Sequence, residues 1–177
     1  MKLDSKEAKG QFPADVSAHV PDQVTLEVTN LIGSREALIL VNQGKYSVEV
    51  PSKDGGPSRK SGGQGSWGGI PLQWASDLFL GRIPCPKASA ATLKINVGEN
   101  GDLVAEGGGE RFVYHFRSWA GRAWPESLHW ENLAQPGLSV DFKFDDPEDK
   151  TGAPKKWEAK SSRGEVKVRW KDLQTAS

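Results

Sequence analysis

Val24-Thr25-Leu26-Glu27-Val28-Thr29-Asn30-Leu31-Ile32-Gly33-Ser34, continuing through Ala37, Ile39 and Val41, sets the character of the chain. Val24, Leu26 and Val28 alternate with Thr25, Glu27 and Thr29, and the period of two resumes after the turn, as it does in half-buried strands. Asn30 and Gly33 supply the turn chemistry. Leu31 and Ile32 break the rule that a connecting turn is polar. Two readings stand: the pair folds back over the edge of a core, or it forms an apolar finger that meets a lipid or a partner.

Working outward, strand patterns dominate. Lys45–Val50 alternates up to Pro51, Asp15–His19 precedes the opening pair, and Lys2–Ser5 adds a short strand at the start. Gly55-Gly56-Pro57 and Ser61–Ser66 read as a flexible polar loop dividing one domain into two halves. From Pro71 to Leu80 the period changes. Leu72, Ala75, Leu78 and Phe79 recur at helical spacing, with Pro71 at a permitted first-turn position and Gly81 placed to stop the helix. Thr92–Ala105 reads as a hairpin around Asn100-Gly101, with Leu93, Ile95 and Val97 facing one way. Strands follow at Arg111–Trp119, Glu126–Asn132, Leu138–Phe144, Lys156–Ser161 and Glu165–Lys171. The expectation is a mainly β (α+β) protein: about ten short strands in one system of antiparallel hairpins, with a short helix.

The later strands are aromatic. Phe112, Tyr114 and Phe116 share a face, as do Leu128 and Trp130, and Leu138, Val140, Phe142 and Phe144. Such a face needs a cover larger than one short helix. Either the sheet closes on itself or a cavity lies between sheet and helix.

Composition narrows the function classes. Lysine and arginine together number 23 and are balanced by 23 acidic residues, so no overall charge steers the chain to nucleic acid or to an anionic membrane. The single cysteine, Cys85, excludes an intramolecular disulfide and reads as a small buried hydrophobe. No apolar run is long enough for a membrane-spanning helix, and Met1-Lys2-Leu3-Asp4-Ser5 begins no signal peptide, so the chain as given reads as soluble. His19, His115 and His129 lack the spacing of metal ligands. Asp145-Asp146-Pro147-Glu148-Asp149 reads as a solvated turn, not a calcium loop. Neither a phosphate-binding glycine loop nor a nucleophile elbow is present. The seven tryptophans are too dispersed for a glycan or nucleic-acid platform and suit a core rim. Lys155, Lys156, Lys160, Arg163, Lys167, Arg169 and Lys171 read as an outward, solvated strand face, with phospholipid headgroups as the alternative contact.

In order and spacing, the Val24–Ser34 hairpin, Ala37–Val41, Tyr46–Val50, and Ile70-Pro71-Leu72 leading into Leu80-Gly81-Arg82-Ile83-Pro84 resemble the LolB family of outer-membrane lipoprotein receptors, within the LolA/LolB lipoprotein-localisation superfamily. The similarity covers roughly residues 11 to 86; where that family carries a further helix, this chain has the glycine-rich Ser61–Gly69. The resemblance implies that residues 1–177 form one open, incomplete β-barrel with a helical lid. Its apolar interior would take lipoprotein acyl chains and promote their insertion into the outer membrane without covalent chemistry or a cofactor. Candidate lining positions are Val28, Ile39, Val48, Leu72, Leu78, Phe79, Ile95, Tyr114, Phe116, Trp130 and Phe142. Ile32, with Leu31 beside it, matches the protruding residue of the family's transfer loop. Implied partners are acyl chains, outer-membrane lipids and a LolA-like periplasmic carrier, with no nucleic acid. The implied protein is a monomer at the periplasmic face of the outer membrane, held by a lipid anchor that this chain does not carry. Other readings are a closed β-barrel interaction domain of the envelope, a LolA-like soluble carrier and a tryptophan-based glycan-binding module.

Overall fold

The computed structural model describes residues 1–5, 9–19 and 23–172. In chain order the elements are β1 (Lys2–Ser5), β2 (Lys9–Gln11), β3 (Ala14–His19), β4 (Gln23–Thr29), β5 (Arg35–Asn42), β6 (Lys45–Val50), β7 (Arg59–Gln64), β8 (Ser66–Trp67) and β9 (Ile70–Pro71). A 3-10 turn at Leu72–Trp74 runs into α1 (Ala75–Phe79). Then come β10 (Lys94–Val97), β11 (Leu103–Gly107), β12 (Glu110–Trp119), β13 (Arg122–Asn132), β14 (Ser139–Pro147), β15 (Pro154–Ser161) and β16 (Gly164–Arg169). The protein is mainly β and open, with one short helix.

Fourteen of the strands belong to two large sheets, where the sequence pattern suggested one, and β8 pairs with β9 alone. β3 to β7 form a five-stranded meander, and β10 to β16 continue through β1 to β2 in a nine-stranded sheet. Neither sheet closes into a barrel. The division falls at Phe12-Pro13. Pro13 has no N–H to give a ladder, so the chain leaves one sheet at Gln11 and opens the other at Ala14.

The glycine-rich stretch also departs from expectation. Residues 59–64 form β7, paired along its length with β6. Gly62 and Gly63 serve close approach: a Cβ on Gly62 would lie 2.6 Å from the Tyr46 carbonyl oxygen, and one on Gly63 would lie 2.8 Å from the Tyr46 ring. Gly62→Val is therefore expected to destabilise the fold by about 1–3 kcal/mol in denaturant unfolding. A change of only a few tenths would mean that β7 can lift from β6 freely.

The alternating positions of β4 and β14 point as their pattern requires, with Val24, Leu26, Val28, Val140, Phe142 and Phe144 all buried. Between the two sheets lies the helix. Gly81, at φ 70°, ends it as the sequence indicates. Trp74 is completely buried and meets Phe112 and Trp130 edge-on at 5.6 and 6.2 Å, while Phe79 meets Trp157 and Trp170 at 5.5 and 6.1 Å. The opposite side of α1 packs on β3 and β4.

β13 carries a bulge at Glu126, which has no cross-strand partner where β12 passes from His115 to Phe116. Pro125 sits in a central strand because the bulge removes the need for its missing N–H. Asp145, Asp146 and Pro147 extend β14, whereas the acidic run reads as a turn in sequence; the turn itself begins at Glu148, whose carboxylate accepts from Lys150 N, Thr151 N and Thr151 Oγ1.

Candidate functional site

The β4–β5 loop holds Leu31 and Ile32 away from the core. Their side chains are 96% and 86% exposed, so the fold-back reading does not hold. Asn30 builds the loop: its Oδ1 accepts from Ile32 N at 3.0 Å and Ser34 N at 2.9 Å, and its backbone N–H donates to Ser34 O at 2.9 Å. Gly33, at φ 84°, closes the turn by donating to Asn30 O. The register shift between Val28 and Thr29 leaves Glu36 as an extra residue, and Asn30 Nδ2 donates to its carboxylate at 3.1 Å. Below, Arg35 donates twice to Glu27 at 2.9 Å, and this holds the Glu27 carboxyl below the usual range. Two apolar side chains thus stand on an ordered polar base. Asn30→Ala, which leaves Ile32 N and Ser34 N without that acceptor, is expected to lower stability by about 1 kcal/mol and to speed exchange of those two amides. Thermal unfolding and amide exchange at Ile32 and Ser34 measure the two effects.

The candidate lining residues separate into three groups. Val28, Ile39, Leu72, Leu78, Phe79, Tyr114, Trp130 and Phe142 come together in the buried core, with Val48 and Phe116 packed at its margin. Ile95 does not join them. It is 58% exposed on the edge strand β10. Cys85 is likewise exposed, its thiol donating to Ile83 O at 3.4 Å, where composition suggested burial. The core is filled by side chains, yet it is not fully satisfied. The buried indole N–H groups of Trp74, Trp157 and Trp170 have no acceptor among the described residues, all three close to the helix. By contrast Trp124 donates to Gly152 O and Trp130 to Glu110, as core-rim tryptophans do. Tyr114 donates to Pro84 O at 2.7 Å, tying the segment after the helix to β12, and burial pushes its phenol pKa up.

A broad surface cavity lies on the other side of the nine-stranded sheet. It has a volume of about 730 Å³ and takes its walls from β2, β1, β16, β15, β14, β13 and β12. Registers place Gln11, Lys2, Lys167, Glu158, Lys143, Ser127 and His115 in one row across the strands. Arg169, Lys156 and Asp145 form a second row, which Arg117 joins through its 3.5 Å contact with Asp145. Six Lys and Arg side chains line this trough against three carboxylates, Glu126, Asp145 and Glu158, although the chain as a whole is balanced. Of the basic set seen in sequence, Lys156, Lys167 and Arg169 belong here, while Arg163 instead donates to Ser66. Lys2, Arg117 and Lys143 come from distant strands, and only the pairing register could align them.

The described histidine side chains are taken up by carboxylates. His115 Nδ1 lies 2.7 Å from Asp102, which raises its pKa, and His129 Nδ1 lies 2.6 Å from Asp141. The side chain of His19 falls outside those described. Neither a family model nor a curated protein matches the sequence.

Proposed function

We propose that this protein binds the acyl chains of lipoproteins, or of other lipids, between its two sheets and delivers them to a membrane through the Leu31–Ile32 loop. One observation carries the reading: two large apolar side chains are exposed on a loop whose hydrogen bonds hold them outward. Each would contribute about 1.5–3 kcal/mol if fully buried, which favours insertion into an apolar phase. The fold supplies a second support. Aromatic side chains of the large sheet face a short helix whose contacts leave three indole N–H groups unsatisfied, at about 1–3 kcal/mol for each such buried group. Where acyl chains take the place of those helix contacts, each CH₂ buried returns about 0.8 kcal/mol. No covalent step is required. The natural setting on this reading is the periplasmic face of an outer membrane.

The test uses a triacylated lipoprotein and its unacylated form. Saturable binding of the first alone, followed by its appearance in acceptor vesicles, is the expected result. Equal binding of both forms would place recognition on the polypeptide. The filled interior favours a second reading, a β interaction domain with Leu31 and Ile32 as a protein contact, and on that reading an apolar fluorescent probe finds no saturable site.

A further inference from the structure

We propose that the basic trough on the outer face of the nine-stranded sheet receives the phosphate-bearing headgroups of an anionic lipid surface into which the Leu31–Ile32 loop inserts. This rests on the membrane-facing reading of that loop and adds the chemistry of the surface it meets. Three observations carry it.

The first is the arrangement of charge. Lys2 stands directly opposite Lys167, and Lys156 directly opposite Arg169, on the neighbouring strands β1, β16 and β15. Like charges at paired positions oppose sheet formation, and an anion between them reverses the sign of that interaction. Second, the carboxylates nearby neutralise only half of the site. Glu158 and Glu165 are taken by Lys167 at 3.1 Å each, Asp145 by Arg117 at 3.5 Å and Asp146 by Lys156 at 3.9 Å. Among the described residues Lys2, Lys143 and Arg169 have no carboxylate within ion-pair distance, and all three are exposed.

The third is position. β2 ends at Gln11, which is paired with Lys2 in the trough wall; Met1 and Phe12 exchange bonds at 2.8 Å; and Pro13 O accepts from Thr29 N, the last residue before the apolar loop. The β2 wall of the trough therefore adjoins the base of the loop. Phe144, Trp157 and Val168 lie along the trough but are buried, so it offers no exposed aromatic face on which bases or sugars could stack. A uniform polyanion would also meet Glu126, Asp145 and Glu158. Separate headgroups entering between the cations avoid those acids.

The experiment measures flotation of the whole chain with phosphatidylcholine vesicles and with vesicles that also contain phosphatidylglycerol, for wild type, Ile32→Glu and the double variant Lys2→Gln/Arg169→Gln. Each cation near an anionic surface is worth about 5-fold in partition. Removing two should cost about 25-fold on the anionic vesicles and leave binding to neutral vesicles unchanged. The double variant should melt no lower than wild type, because each substitution removes one half of a like-charge pair. Millimolar inorganic phosphate should release no more protein than chloride at the same ionic strength. Equal binding of wild type to both vesicles, or an unaltered anionic preference in the double variant, would overturn the trough assignment and leave the loop reading standing. Release by phosphate would make the trough a site for a free anion and overturn it as well. Ile32→Glu binding neutral vesicles as wild type does would instead sink the loop reading.

Discussion

Ile32→Glu is expected to lower partition onto neutral phosphatidylcholine vesicles by about 100-fold while leaving the unfolding midpoint where it is. The side chain is 86% exposed, so no core packing is lost. What is lost is the transfer of a branched aliphatic group, about 1.5–3 kcal/mol. In addition, a carboxylate entering the same phase must shed water or take up a proton. About 2.7 kcal/mol corresponds to the 100-fold change. Leu31→Glu should act similarly. Leu133, 50% exposed on the turn after β13, supplies the control: Leu133→Glu should bind as wild type, since that turn lies at the other end of the large sheet from the trough. An Ile32→Glu protein that melts several degrees lower would show that the loop packs in solution, and the proposed delivery step would lose its support.

Trp74→Ala should be the most damaging single change to stability, at about 3–5 kcal/mol. Trp74 is wholly buried where the helix meets Phe112 and Trp130, and Lys87 lies 5.1 Å from its ring centre. At about 2–4 °C per kcal/mol for a chain of this size, the midpoint should fall by roughly 10 °C. The indole N–H has no acceptor, so the loss comes from packing and not from a broken hydrogen bond. The vacated space lies among the candidate lining residues. The variant should therefore bind an apolar fluorescent probe more tightly than wild type at temperatures where both are folded. A loss below about 1 kcal/mol would show that the helix is a loosely held cover and not a core element.

Much of the fold was legible because alternation and burial share one cause. Val24, Leu26 and Val28 face inward and Lys45–Val50 runs as a strand with the bounds that its pattern indicates. Ser61-Gly62-Gly63-Gln64 was misleading, since glycine marks either a free loop or a close backbone approach and only the position of Tyr46 distinguishes them. Cys85 and Ile95 were misplaced for a related reason: residue type gives a tendency to bury, but their exposure follows from lying on a connecting segment and on an edge strand.

What the sequence determined alone is local: the strands, the stop at Gly81, and the apolar pair at Leu31 and Ile32 on an asparagine-built turn. Tertiary structure decided the rest. It split the strands at Pro13, set the helix between the sheets, and brought Lys2 beside Lys167 and Arg169 beside Lys156. Periodicity records which face of a strand is apolar; which strands become neighbours depends on pairing across the chain, and on that pairing the trough depends.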